Sequence, residues 1–409
     1  MKLLIVTDNL PPHTSANSNI MLRLADMLSA RYGVEVSFLG YQTGEGAMPY
    51  RTWAVPTVYR YTQALPEHLP KWEKLCRLAL HPTLWPFRAA LSCSRYPTWR
   101  AYRRLLKQAL REEPGFDCVL CAVCPYDTLY AAAKTVKDIP LAVWKLDPWG
   151  AHALHLDDRR YWKDEQCADS RCDAIFVTAP IYRDYQTGVN RAPLEKIHQL
   201  EFPNLRPPVW DAALAPRFDS GKLNCAYVGQ LYPDIRSPKF LFDLFRQWEG
   251  TDIVLHVIGN TELQAQQYGP ELPSNVILHG IVSPREAEQY MQAADILVNL
   301  GNTVPNQLPS KLISYLACGK PILNLCKIPG CLTLPYLEKY PLSLILQEAD
   351  GLRPETVEQA EAFLRENRGR KLPFEEVAAL FPECTPEYVG RQIWEVLRSI
   401  TETPEKGEV

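Results

Sequence analysis

Leu3-Leu4-Ile5-Val6-Thr7-Asp8, then Ile20, Met21, Leu24, Met27 and Leu28, then Gly33 and Val34-Glu35-Val36-Ser37-Phe38-Leu39, is the stretch that sets the fold. A short apolar run, five apolar residues at helical spacing, a glycine stop and a second β-branched run read as a βαβ unit. The alternation continues through Cys118 to Val123, Leu141-Ala142-Val143-Trp144-Lys145-Leu146 and Ala174-Ile175-Phe176-Val177. Continuous apolar strands alternating with helices predict a parallel sheet covered on both faces. Between Pro203 and Lys222 the pattern stops, and four prolines (Pro203, Pro207, Pro208 and Pro216) mark a connector. It restarts at Leu223-Asn224-Cys225-Ala226-Tyr227-Val228 and runs through Ile253 to Ile258, Val276 to Leu278, Asp295 to Asn299 and Pro321 to Leu325. Ser283-Pro284-Arg285-Glu286 reads as a capping box with proline at the first helical position. The expected architecture is therefore α/β, with two Rossmann-like doubly wound domains at residues 1–205 and 223–384. They face a cleft at the carboxyl ends of their strands, where such sheets bind ligands.

Composition bounds the function. The 409 residues suffice for two or three domains, and 46% apolar with 22% charged side chains is ordinary for a globular chain. A net charge of -3 disfavours a nucleic-acid partner. Proline is abundant at 35 and glycine scarce at 20, so the placement of each glycine is informative. Asp8 interrupts an apolar start too short for a signal peptide, and no run of apolar residues is long enough to cross a bilayer, so a cytoplasmic protein is expected. Cys118-x-x-Cys121-x-x-Cys124 has metal-like spacing, but strand alternation sends Cys118 and Cys121 to opposite faces, so buried thiols are expected and no metal site. Cys167 and Cys172 are given the same reading.

Several residues carry chemistry. Tyr227-Val228-Gly229-Gln230-Leu231 leads through Tyr232-Pro233-Asp234-Ile235 to Arg236, and Ser237-Pro238 then opens a helix. A cation beside the free N–H groups of a helix start suits a phosphate, against the alternative of a solvated arginine. Asn299 to Lys311 likewise delivers Ser310 and Lys311 to the start of a helix ending at Gly319. A lysine there opposes the helix dipole unless an anion sits between them. Two such cations could grip a diphosphate. In the first half, Trp144-Lys145-Leu146-Asp147-Pro148-Trp149 ends a strand with an acid, which either orients a hydroxyl or caps a turn. Ten basic residues against Glu73 alone between Lys71 and Arg111, interleaved with aromatics, could dock on anionic lipid or form a solvated face over the core.

Taken together, Tyr227-Val228-Gly229, the turn to Arg236-Ser237-Pro238, His279-Gly280-Ile281-Val282, Ala294 to Val298 and Pro309-Ser310-Lys311-Leu312 to Gly319-Lys320-Pro321 resemble the family-4 glycosyltransferases of the GT-B fold. The resemblance covers residues 223–326 well and the first half in outline. It implies a hexosyltransferase-like, retaining transfer from a nucleotide diphospho-sugar to a glycan or lipid-linked acceptor, as in surface polysaccharide or glycoconjugate synthesis. It also implies a last helix, residues 385–403, that returns to the first domain. Carried over by position, Arg236 and Lys311 would hold the donor diphosphate with Ser310, Gly229 would bind the donor, and Gly259, Asn260, Gly280, Ile281 and Val282 would flank the nucleoside. Asp147 would orient acceptor or sugar. No cofactor or metal is expected, the cations taking that part. The sequence departs from the family at Asn306 and Ser314, which stand where two glutamates are usual, and in the loop Pro11 to Ser18, which has no glycine and offers His13 and Asn17 instead. A non-catalytic protein binding a sugar nucleotide or a partner, and a nucleotide-sugar epimerase, stand as alternatives.

Overall fold

The computed structural model describes residues 1–12, 14–42, 48–55, 95–96, 98–152, 155, 157–232 and 235–402. His13 and the part of the basic stretch from Lys71 to Arg88 lie outside the described residues. The chain forms two units, residues 1–201 with 386–409, and residues 202–385.

The first unit runs β1 (Lys2–Leu10), α1 (Ala16–Tyr32), β2 (Glu35–Gln42), β3 (Arg51–Val55), α2 (Trp99–Glu112), β4 (Cys118–Val123), α3 (Tyr126–Ala133), β5 (Leu141–Lys145), α4 (Arg159–Asp169), β6 (Ala174–Val177), α5 (Ala179–Gln186) and β7 (Ile197–Gln199). Its strands form one parallel sheet in the order β3-β2-β1-β4-β5-β6-β7. The βαβ reading holds residue by residue. Ser15 caps α1 in a box with Ser18, and Gly33 ends the helix at φ +63°, a left-handed conformation that costs glycine little. The order reverses between β1 and β4, so the chain leaves a crevice beyond their carboxyl ends.

The second unit runs β8 (Leu223–Val228), α6 (Lys239–Arg246), β9 (Ile253–Ile258), α7 (Glu262–Tyr268), β10 (Val276–Gly280), α8 (Pro284–Ala293), β11 (Ile296–Leu300), α9 (Lys311–Ala317), β12 (Ile322–Cys326), α10 (Leu334–Leu337), β13 (Ser343–Gln347), α11 (Pro354–Glu366) and α12 (Phe374–Leu380). The strands are again all parallel, in the order β10-β9-β8-β11-β12-β13, and reverse between β8 and β11. The capping box of α8 forms as read: Ser283 Oγ accepts from the Glu286 N–H at 3.2 Å, and the Glu286 carboxylate accepts from the Ser283 N–H at 2.9 Å. The proline-rich connector is strapped to this unit. Val209 O accepts from Gln289 and Gln292, Asp211 N–H donates to Gln289, and Arg206 pairs with Glu288.

After α12 the chain rejoins the first unit as α13 (Pro386–Thr401). Val389, Ile393 and Leu397 are fully buried, Trp394 stacks on Tyr32 of α1 at 5.0 Å, and Gly390 lets Met27 lie against the helix backbone. The strands β3, β7 and β13 have no counterpart in the sequence reading: they are edge strands or short, and their patterns are weak. Cys118, Cys121 and Cys172 are buried thiols, pushed up in pKa by burial. Cys167 is not: it lies exposed on α4, whose buried face is carried by Glu165, Ala168 and Asp169.

Candidate functional site

The carboxyl edge of the second sheet is built around glycines. Gly229, Gly259, Gly280 and Gly301 stand at the ends of four neighbouring strands, β8, β9, β10 and β11. Gly259 N–H donates to Gly280 O at 2.9 Å, Gly229 N–H to Ile258 O at 2.9 Å, and a Cβ on Gly259 would overlap the Gly229 carbonyl. The chain thus presents bare backbone at three adjacent strand tips, with Ile281 73% exposed just beyond. Where the strand order reverses sits Arg236. Its Nε and Nη2 both donate to Asn302 Oδ1, at 2.9 and 2.6 Å, and its Nη1 reaches Gln230 O at 3.4 Å. Gln230 follows β8 and Asn302 follows β11, so one guanidinium bridges the two strands of the switch point. Asn302 in turn donates to Gln307 O at 2.9 Å, and Thr303 N–H to Ile235 O at 3.0 Å, tying the Arg236 turn to the loop that leads into α9. That helix is pinned by Tyr315, whose hydroxyl accepts from Val228 N–H at 2.7 Å and donates to Val228 O at 3.1 Å. Ser310 caps α9 without a side-chain hydrogen bond, and Lys311 is its first residue. Arg236 itself stands three residues before α6, in a turn closed by a Tyr232–Arg236 bridge, and not in the helix's first turn.

The carboxyl edge of the first sheet gathers different groups. Asn17, on the first turn of α1, donates to Cys124 O at 3.1 Å and to the Asp147 carboxylate at 3.4 Å, joining the helix to the tips of β4 and β5. Asp8 lies in an irregularity of β1 between Val6 and Asn9. Burial raises its pKa against hydrogen bonds from Ser15, the Asn9 backbone and Thr7. Behind Asp147, Lys145 is completely buried, its ammonium 2.6 Å from Glu165, 2.7 and 2.8 Å from the two Asp169 oxygens and 2.6 Å from the Tyr185 hydroxyl. Burial alone would lower Lys145, but the Asp169 and Glu165 carboxylates outweigh it and keep the ammonium charged. The other Glu165 oxygen accepts from Gly150 N–H at 2.7 Å, so the network fixes the loop after β5 that carries Asp147.

Residues 222–331 match the family described as glycosyl transferases group 1. The second unit holds a glycosyltransferase group 1 domain. The match takes in the whole glycine edge, Arg236 and Lys311. No curated protein matches the chain in sequence. Among solved structures the whole chain is similar to sucrose-phosphate synthase from Thermosynechococcus elongatus (16% identity, 97% of this chain and 98% of that one, TM-score 0.65). It is also similar to WaaG, a glycosyltransferase involved in lipopolysaccharide biosynthesis (14%, 97% and 99%, TM-score 0.61). A third similar structure is a UDP-GlcNAc 2-epimerase from Neisseria meningitidis (12%, 98% and 100%, TM-score 0.59). At these identities the likeness establishes the GT-B fold of two Rossmann-like domains, which both transferases and epimerases use. The expected fold and the expected enzyme class, a glycosyltransferase, stand on the domain match and the fold together.

Within the glycosyltransferase domain, Asn260 is exposed beside Gly259, Val282 follows Ile281 on the loop after β10, and Asn306 and Ser314 lie on the loop and helix that follow β11. Asn302, the partner of Arg236, was not singled out in the sequence, because an asparagine in a polar loop carries no pattern of its own. Asp8, Lys145 and its carboxylates were missed for the same reason: their meeting depends on sheet order. Among the described residues no group of three or more His, Cys, Asp and Glu side chains could hold a metal ion, and no helix is long and apolar enough to cross a membrane.

Proposed function

We propose that the protein transfers a hexose-like sugar, with retention, from a nucleotide diphospho-sugar to a glycan or lipid-linked acceptor in surface polysaccharide or glycoconjugate synthesis. The observation that carries the reading is Arg236 bridging the switch point of the second sheet beside glycine-tipped strands. An arginine held by Asn302 offers a fixed guanidinium for two phosphate oxygens, and Lys311 with the Ser310 amide adds charge as the leaving diphosphate develops. Catalysis in this reading draws on these fixed cations and on no bound metal. Gly229, Gly259, Asn260 and the Gly280-Ile281-Val282 loop take the nucleoside, since backbone can approach a ligand closely only where no Cβ intervenes. Ser314 and Asn306 reach sugar or ribose hydroxyls as neutral partners. In the first unit, Asp147, oriented by Asn17, faces the acceptor or the transferred sugar, and the stretch 71–111 brings the protein to the cytoplasmic face of a membrane.

One observation favours a second reading. Asn306 and Ser314 replace the carboxylates that the resemblance would supply, which fits a protein that binds a sugar nucleotide without turning it over. A panel of nucleotide sugars tests both. We expect thermal stabilisation by one nucleotide diphosphate class together with slow hydrolysis or transfer of its sugar. Stabilisation without any turnover sinks the catalytic reading, and interconversion of free sugar nucleotides would replace it with epimerisation.

A further inference from the structure

α2 presents one face of five cations. Arg100, Arg103, Arg104, Lys107 and Arg111 recur at the three- and four-residue spacing that places them along one side of a helix, over ~16 Å at 1.5 Å per residue. With Thr135, just beyond α3, they line a cavity of about 680 Å³. Among the described residues no carboxylate lines it. None of the five has an ion pair among the described residues. Glu112, the nearest acid in sequence, accepts from Trp53 Nε1 at 2.8 Å and from Gln108 at 2.7 Å, and the Arg111 charge acts on it only as a minor influence. Arg103 Nε is buried without a hydrogen-bond partner. The array is also held in place: Arg100 and Arg103 each lie 5.8 Å from the Trp99 ring, and Trp99 packs edge-on against Tyr130 at 5.5 Å.

Five cations with no ion pair among the described residues repel one another at such spacing, a cost that a protein removes most simply by binding an anion that spans them. Planar guanidinium groups match phosphate oxygens in pairs, and a cavity of this size admits several phosphates where a single one would leave most of the array unmatched. We propose that the cavity on α2 is a binding site for a polyphosphorylated group, whether lipid headgroups or the phosphates of a soluble ligand. It deepens the membrane contact proposed above, and rests on that reading only where headgroups are the source. It is independent of the sugar transfer.

The test uses the full chain and the variant Arg100→Gln, Arg104→Gln, Lys107→Gln, all at exposed positions, with Arg285→Gln, Arg353→Gln, Lys339→Gln on the second unit as the charge-matched control. The soluble probe is inorganic tripolyphosphate, followed by calorimetry at low and high salt. The membrane probe is vesicle co-sedimentation with phosphatidylcholine, alone or mixed with phosphatidylglycerol. At about fivefold per cation near an anionic array, the triple variant should bind tripolyphosphate about a hundredfold more weakly and melt no lower than the parent, while the control binds as the parent does. Binding to phosphatidylglycerol vesicles that tripolyphosphate competes away would support the site with headgroups as its source; tripolyphosphate binding without vesicle binding would support it with a soluble ligand. Equal tripolyphosphate affinity in parent and triple variant, or none in the parent, overturns the site. Vesicle binding unaffected by tripolyphosphate excludes headgroups as the source, so that the site stands only if tripolyphosphate itself binds the parent more tightly than the triple variant. Sugar nucleotides enter none of these readouts, so the result stands apart from the fate of the transferase reading.

Discussion

Arg236 illustrates what a single side chain contributes. Its position in the sequence, after a strand and a glycine, was legible, but its hydrogen bonds to Asn302 and Gln230 were not. Those bonds orient the guanidinium before any ligand arrives, which lowers the ordering cost of binding. Replacing Arg236 or Lys311 by alanine should weaken nucleotide diphosphate binding by about 1.5–3 kcal/mol each, the range for hydrogen bonds to charged groups. Asn302→Ala should cost less, because the guanidinium stays and only its orientation is lost. Titration calorimetry of the three variants checks the order. Parent-like affinity in both Arg236→Ala and Lys311→Ala would show that the diphosphate binds elsewhere.

At the scale of elements, the strands of the second sheet carry a histidine pair, His256 buried and His279 half-buried. His256 on β9 meets His279 on β10 at 2.9 Å and Asn224 on β8 at 3.1 Å, with Phe218 of the connector stacked over it at 4.1 Å and the Tyr290 hydroxyl on the far side of His279 at 3.2 Å. Burial, then the neighbouring His279, pushes His256 down to about 4 from an ordinary 6.5. The unfolded chain therefore holds more protons than the folded one between those values, and stability falls as pH drops through that window. The loss from His256 alone is about 3 kcal/mol. Scanning calorimetry of the full chain from about pH 7 to about pH 4 should show its transition moving down, and His256→Gln should flatten that movement. A variant with the parent's slope would place the titrating group elsewhere. The same strands show why elements were easier to read than sites. Their apolar runs and the Ser283 cap are local signals, whereas the histidine pair exists only because β9 lies between β8 and β10.

For the whole molecule, the decisive feature is that the chain ends in the unit where it began. α13 buries Val389, Ile393 and Leu397 completely, and at roughly 1.5–3 kcal/mol for each buried side chain its removal should cost upward of about 4 kcal/mol, a large part of a typical domain's 5–15. A chain ending at Thr385 should therefore lose or sharply lower the melting transition of the first unit while leaving that of the second unit near its parent value. Equal shifts in both transitions would contradict the division of the chain.

The sequence by itself determined the class of fold, two parallel α/β sheets with helix caps and glycine stops in place, because hydrophobic period, capping and glycine placement act within a few residues of one another. It also offered Arg236, Lys311 and the glycines as candidates for a ligand edge, since strand ends are where such sheets bind. Only the tertiary structure decided which groups meet there. Arg236 with Asn302, Asn17 with Asp147, and Lys145 with its carboxylates each join segments brought together by strand order and helix packing. No local pattern encodes that, because contacts between distant residues follow from how the sheets are ordered and not from neighbouring side chains.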